Sequence, residues 1–225
     1  MLTRRAFLQG ASVLTLGAAM LANLPFDLQL AGDALAQGAP AAAPTPEDVA
    51  KPGPLGDQAQ GDANAPVTIV EYASMTCTHC ATFHNTVYPT LKTRYIDTGK
   101  VRYILREFPL DPLAAGGFML ARCAGEGKYF TVVDALFKQQ PKWAFVQNPI
   151  PPLFAIAKEV GGFTEQSFEK CLSDQKLLDG IDETRSGGQK LGVNSTPTFF
   201  INGKMFRGTM TVEELDKQIA PLLKS

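Results

Sequence analysis

The order of strand and helix signals predicts an α/β fold, a central mixed β-sheet with an inserted all-helical block. Three observations carry this. The runs Val67–Tyr72 and Val101–Phe108 are β-branched and aromatic, and they flank one helical pattern. Strand, helix and strand within about 40 residues form the βαβ unit of a parallel pair. Helical periodicity then continues from about 111 to 191, and Thr198–Ile201, Asn202-Gly203 and Lys204–Arg207 follow as an antiparallel hairpin.

Each element has a local reason. Asn64-Ala65-Pro66 is a turn signal that leads into the first strand. After Ser74-Met75-Thr76 a helix begins, in which Phe83, Val87, Leu91 and Tyr95 recur every four residues on one face. Pro89 is expected to kink that helix rather than end it, and Gly99 suits the left-handed cap after Asp97-Thr98. In the helical block, Phe130, Val133 and Phe137 mark one helix. Leu153, Ile156 and Val160 mark another, closed by Gly161-Gly162. A third, capped near Thr164, carries Phe168, Cys171 and Leu172. A longer polar helix with Leu177, Ile181 and Leu191 ends at Gly192. Val212, Leu215, Ile219 and Leu222 make a last amphipathic helix.

The 225 residues carry 21 Lys+Arg and 22 Asp+Glu, a net charge of −1, which argues against a nucleic-acid binder. With 45% apolar and 19% charged residues the chain is an ordinary globular one. Residues 1–36 read as an export signal, with Arg4 and Arg5, a diluted apolar run from Ala11 to Leu24, and Ala34-Leu35-Ala36 as the cleavage motif. Thr3-Arg4-Arg5-Ala6-Phe7-Leu8 approaches the twin-arginine consensus. Residues 37–60, rich in Ala, Pro, Gly and Gln, read as a flexible linker, so the folded domain is expected over 61–225. That linker is too short and polar to dimerise, and a periplasmic monomer is expected.

The chemistry centres on Cys77-Thr78-His79-Cys80, after a strand and at a helix start. Unpaired N–H groups and the helix dipole favour a thiolate there, and His79 offers a second partner within the ring. A stabilised thiolate favours the reduced pair and makes the disulfide more oxidising. Cys77 is expected to be the exposed attacking sulfur and Cys80 the buried resolving one. A zinc or copper site using Cys77, Cys80, His79 and His84 is the alternative from another class. No second C-x-x-C or H-x-x-x-H accompanies it. His84 can tune the site or face solvent. Arg102, Arg106 and Glu107 read as solvated strand flanks.

The βαβ–helices–ββα order, with Cys-x-His-Cys opening the first helix, resembles the DsbA-type thiol:disulfide oxidoreductases, which have a thioredoxin fold. That likeness covers 61–225. It implies disulfide donation from Cys77–Cys80 to unfolded or reduced exported proteins, with no cofactor and no metal. It also implies a DsbB-like membrane reoxidant; a reductase or isomerase is the alternative within the class. It gives Glu71, six residues before Cys77, the role of a buried proton acceptor for Cys80, against a surface Glu on an edge strand. Thr196-Pro197 matches the family's cis-proline loop, expected beside Cys77 and available to a substrate strand. Thr78 departs from the frequent Pro. Some family members carry a second disulfide, which here would join Cys123 to Cys171 as a buried staple of the helical block. Two reduced core cysteines are the alternative.

Overall fold

A computed structural model describes residues 44–224. The expected export signal and the start of the expected linker lie outside the described residues. The elements run α1 (Pro46–Ala50), β1 (Gln58–Gln60), β2 (Val67–Ala73), α2 (Thr78–Thr86) and α3 (Tyr88–Leu91). A wider π-type turn at Lys92–Ile96 precedes β3 (Val101–Glu107). The helical block comprises α4 (Pro112–Cys123), α5 (Tyr129–Lys138), α6 (Gln140–Trp143), α7 (Ile150–Ile156), α8 (Glu165–Leu172) and α9 (Gln175–Lys190). Then come β4 (Thr198–Ile201), β5 (Lys204–Arg207) and α10 (Val212–Leu222). Among the described residues no helix is long and apolar enough to cross a membrane.

The five strands lie in the order β1-β3-β2-β4-β5. β2 and β3 are parallel, while β1 pairs antiparallel with β3, β4 with β2 and β5 with β4. The β4–β5 turn puts both Asn202 (φ 44°) and Gly203 (φ 84°) in the left-handed region, the conformation a two-residue hairpin of this twist requires. The Asn202 side chain also accepts from the Thr68 amide at 2.7 Å, tying the turn to β2.

Period-two alternation divides the sheet between two cores. Ile69, Ala73, Tyr103, Leu105, Phe199 and Ile201 join the larger cluster, with Phe83, Phe118, Phe137 and Trp143 from the helices. Val70, Tyr72, Ile104, Phe108 and Phe200 form the smaller one, with Val49 of α1 and Val193. At Gly188 of α9 a Cβ would lie 2.7 Å from the Tyr72 ring, so only glycine permits this approach of helix to sheet.

Several expectations are corrected. The stretch up to 60 is not all linker. Thr45 caps α1 through its side chain, Val49 is buried, and β1 adds an edge strand to the sheet. Arg122 holds this segment by donating to the carbonyls of Leu55 and Gly56. Arg106 and Glu107 are not solvated. Because both faces of β3 are covered, Arg106 is buried against Asp57 and the Tyr72 hydroxyl. Glu107 is buried against Arg122 (2.6 Å) and the Tyr129 hydroxyl (3.0 Å). Arg102, at the solvent end, is half-buried. Pro89 interrupts the active-site helix at Val87, and the chain restarts as α3 with Pro89 in its first turn.

Candidate active site

Strand β2 delivers the chain to the turn Ser74–Thr76, and Cys77 becomes the N-cap of α2. The turn is held from several elements. The Cys77 amide donates to the Ser74 carbonyl, the Thr76 hydroxyl to Asp111 (2.6 Å), and the Leu110 amide to the Ser74 hydroxyl. Gln140 of α6, buried, donates one side-chain amide to the carbonyls of Met75 (2.8 Å) and Cys77 (3.0 Å). Neither Gln140 nor Asp111 stands out in the sequence, because each reaches the turn from a distant element.

Cys77 and Cys80 are an unbonded thiol pair. Cys77 is 9% exposed and Cys80 0%, so the first sulfur is the more accessible, though far less open than expected. The Cys77 sulfur accepts from the Cys80 amide at 3.4 Å and lies 3.3 Å from the Thr196 carbonyl, to which its thiol donates. The Thr196–Pro197 bond is cis. The Cys77 thiol is lowered to about 5, foremost by a hydrogen bond from the Cys80 thiol. Partial burial opposes this shift, while the backbone N–H groups of Cys80 and His79 support it. His79 thus contributes its amide; its imidazole is exposed. Cys80 is pushed well above an ordinary thiol, first by burial, then by Cys77 and by the negative charge of Glu71.

Glu71 lies on the larger-core face of β2, between Ile69 and Ala73, and is fully buried. It is no edge residue, since β2 is paired on both sides. Tyr103 of β3 donates its hydroxyl to Glu71 Oε2 at 2.5 Å. His84 Nε2 stands 3.3 Å from the same oxygen, and Glu71 Oε1 has no hydrogen-bond partner. His84 is 5% exposed rather than solvent-facing, because its ring stacks on Phe137 with centroids 4.4 Å apart. The Cys77, Cys80, His79 and His84 set is therefore not gathered around one point. Among the described residues no three His, Cys, Asp or Glu side chains converge to hold a metal ion.

Away from this site, Cys123 of α4 and Cys171 of α8 form a disulfide with Cα atoms 6.1 Å apart. It is not fully buried: Cys171 is 4% exposed, but Cys123 opens to solvent. Both line a cavity of about 320 Å³ with Phe163, Ser167, Lys170 and Asp174.

The sequence and the fold have known counterparts. A thioredoxin family model matches residues 55–220. A putative protein-disulfide oxidoreductase of Rickettsia bellii is 38% identical over 149 residues, 65% of this chain and 57% of that protein. One from Rickettsia conorii is 36% identical over 152 residues, so the chain spans little more than half the length of these relatives. The crystal structure of alpha-DsbA1 from Wolbachia pipientis superposes with a TM-score of 0.73 at 32% identity, covering 80% of this chain and 96% of that one. BdbD of Bacillus subtilis, at 21% identity and a TM-score of 0.68, shares the fold over 78% of this chain and 97% of its own. With the cysteine pair capping α2 and the fold matched over most of the chain, the protein belongs to the DsbA-like disulfide oxidoreductases of the thioredoxin family.

Proposed function

We propose that this protein is an exported dithiol oxidase, which donates the Cys77–Cys80 disulfide to reduced, unfolded polypeptides outside the cytoplasm. The observation that carries this reading is the asymmetry of the two sulfurs: Cys77 caps α2 and accepts from the Cys80 amide, with its thiol lowered to about 5, whereas Cys80 is fully buried and pushed well above an ordinary thiol. A thiolate stabilised in the reduced state makes the disulfide a strong oxidant. A substrate thiolate attacks Cys77 Sγ, the Cys77–Cys80 bond breaks, and Cys80 leaves as a thiolate that takes a proton by way of Glu71. The substrate's second thiolate then attacks the mixed disulfide and releases Cys77 as a thiolate. The substrate loses two electrons and the enzyme gains them. A DsbB-like membrane protein, passing those electrons to quinone, would reform the disulfide. Thr196 and Pro197, beside Cys77, offer main-chain edges to an extended substrate. Residues 1–36 would direct export and be removed near Ala36.

Two variants and one equilibrium test this. Cys77→Ser should abolish disulfide transfer to a reduced peptide, while Cys80→Ser, offered a single-cysteine peptide already oxidised as a disulfide, should accumulate the mixed disulfide at Cys77, because the thiol that would displace the peptide is gone. A reduction potential near that of thioredoxin, about −270 mV, would point to a reductase; an oxidase lies well above it.

A further inference from the structure

We propose that His84 and Asp134 form the route by which the proton gained and lost by Cys80 in each turnover travels between Glu71 and solvent. This inference rests on the role of Glu71 proposed above and names what connects that carboxylate to water. Cys80 and Glu71 are both 0% exposed, so a proton cannot reach them directly. Two side chains touch the Glu71 carboxylate, Tyr103 and His84. Tyr103 is itself fully buried, and burial beside the Glu71 charge raises its phenol well above the ordinary range. It orients Glu71 but leads nowhere.

His84 is placed differently. Its Nε2 lies 3.3 Å from Glu71 Oε2, while its buried Nδ1 has no hydrogen-bond partner and stands 3.9 Å from Asp134 Oδ1. The Asp134 side chain, on α5, is 53% exposed. The remaining gap is within reach of a small rotation of that surface carboxylate or of one bridging water. The titratable groups facing the imidazole are Glu71 from β2, Tyr103 from β3, Tyr88 from α3 and Asp134 from α5, with Lys92 acting on Asp134 from beyond. Only Asp134 among those in contact is open to water.

The proton count closes over the cycle. When substrate displaces Cys80, one proton passes from solvent through Asp134 to Nδ1, another leaves Nε2 for Glu71, and Glu71 protonates the thiolate. The imidazole is left in its other tautomer. When the disulfide is reformed, the same transfers run backwards and the first tautomer returns. The ring need never flip, which suits an imidazole held flat against Phe137 and edge-on to Phe83.

The test is a single-turnover measurement of the Cys80-dependent step, the release of a fluorescent cysteine peptide from its mixed disulfide with Cys77. Asp134→Asn and His84→Ala should each slow release about tenfold or more, as loss of a proton-transfer group does. Added imidazole should restore the His84→Ala rate in proportion to its concentration, and small carboxylic acids that of Asp134→Asn. A purely structural role would lower stability without making the rate depend on buffer. Asp134 is a surface residue, so its variant stays informative where His84→Ala folds poorly. If Glu71→Gln slows release but Asp134→Asn does not, the route is overturned and the Glu71 reading stands. If Glu71→Gln releases peptide at the native rate, both fall.

Discussion

At the scale of single residues, folding shifts the Cys77 and Cys80 thiols in opposite directions from their ordinary value, and this links redox state to pH. The folded Cys77 thiol sits near 5 against an ordinary value of 9.0. An acid lowered by folding contributes stability that is complete above its unfolded value and lost as pH falls through the folded one. The oxidised pair does not titrate. Thermal unfolding should therefore show the reduced protein gaining on the oxidised one from pH 5 towards 9, by up to about 1.4 kcal/mol per pH unit. Cys80, raised by burial, works the other way only above the ordinary thiol range. A gap that stays constant or narrows across this window would contradict the assignment. The same causes rank two substitutions. His79→Ala keeps the backbone N–H that bonds the thiolate, whereas Cys80→Ala removes the hydrogen bond from the Cys80 thiol, the largest of those causes. Titration by thiolate absorbance should find the larger upward shift of Cys77 in Cys80→Ala.

Between elements, the active-site turn depends on the helical block. Gln140 of α6 satisfies two carbonyls of the turn, and both bonds are buried. Gln140→Leu keeps the volume but leaves the Met75 carbonyl without a donor and the Cys77 carbonyl with the Ala81 amide alone, a loss of about 1–3 kcal/mol in denaturant unfolding. Hydrogen exchange at the Met75–Cys77 amides should rise with it, and unchanged protection would separate the turn from α6. This contact was not legible in the sequence, where Gln140 is one polar residue beside a proline. The helix α2 was legible, because its cap, its apolar period and its cysteines all lie within a few residues. Glu71 was visible as an odd charge on a strand, but its burial follows from β4 covering the far edge of β2. Arg106 and Glu107 misled for the same reason: their partners Asp57 and Arg122 are brought to them only by folding.

For the whole molecule, the Cys123–Cys171 bridge closes a loop of 48 positions across the helical block. Replacing both cysteines by serine should lower stability by about 4 kcal/mol in the chain-entropy picture. Since the bridge lies apart from Cys77, the Cys77 titration should stay where it is; a shift would couple the two sites. With Cys123 open to solvent, the bridge is accessible to a reductant on that side.

What the sequence by itself determined are the features written in short windows: the strand and helix periods, the Asn202-Gly203 turn, and a cysteine pair at a helix start. These depend on backbone preferences and on neighbours within one or two turns, so local residue types suffice to specify them. Tertiary structure alone decided that Tyr103 and His84 meet Glu71 with Asp134 on the far side of the imidazole, and that residues 58–60 add an edge strand to the sheet. It also turned two strand charges into buried ion pairs. Those outcomes depend on the register of β2 against β3 and on which helices cover each face. Register and coverage come from the summed burial of many distant side chains, and no local window contains that sum.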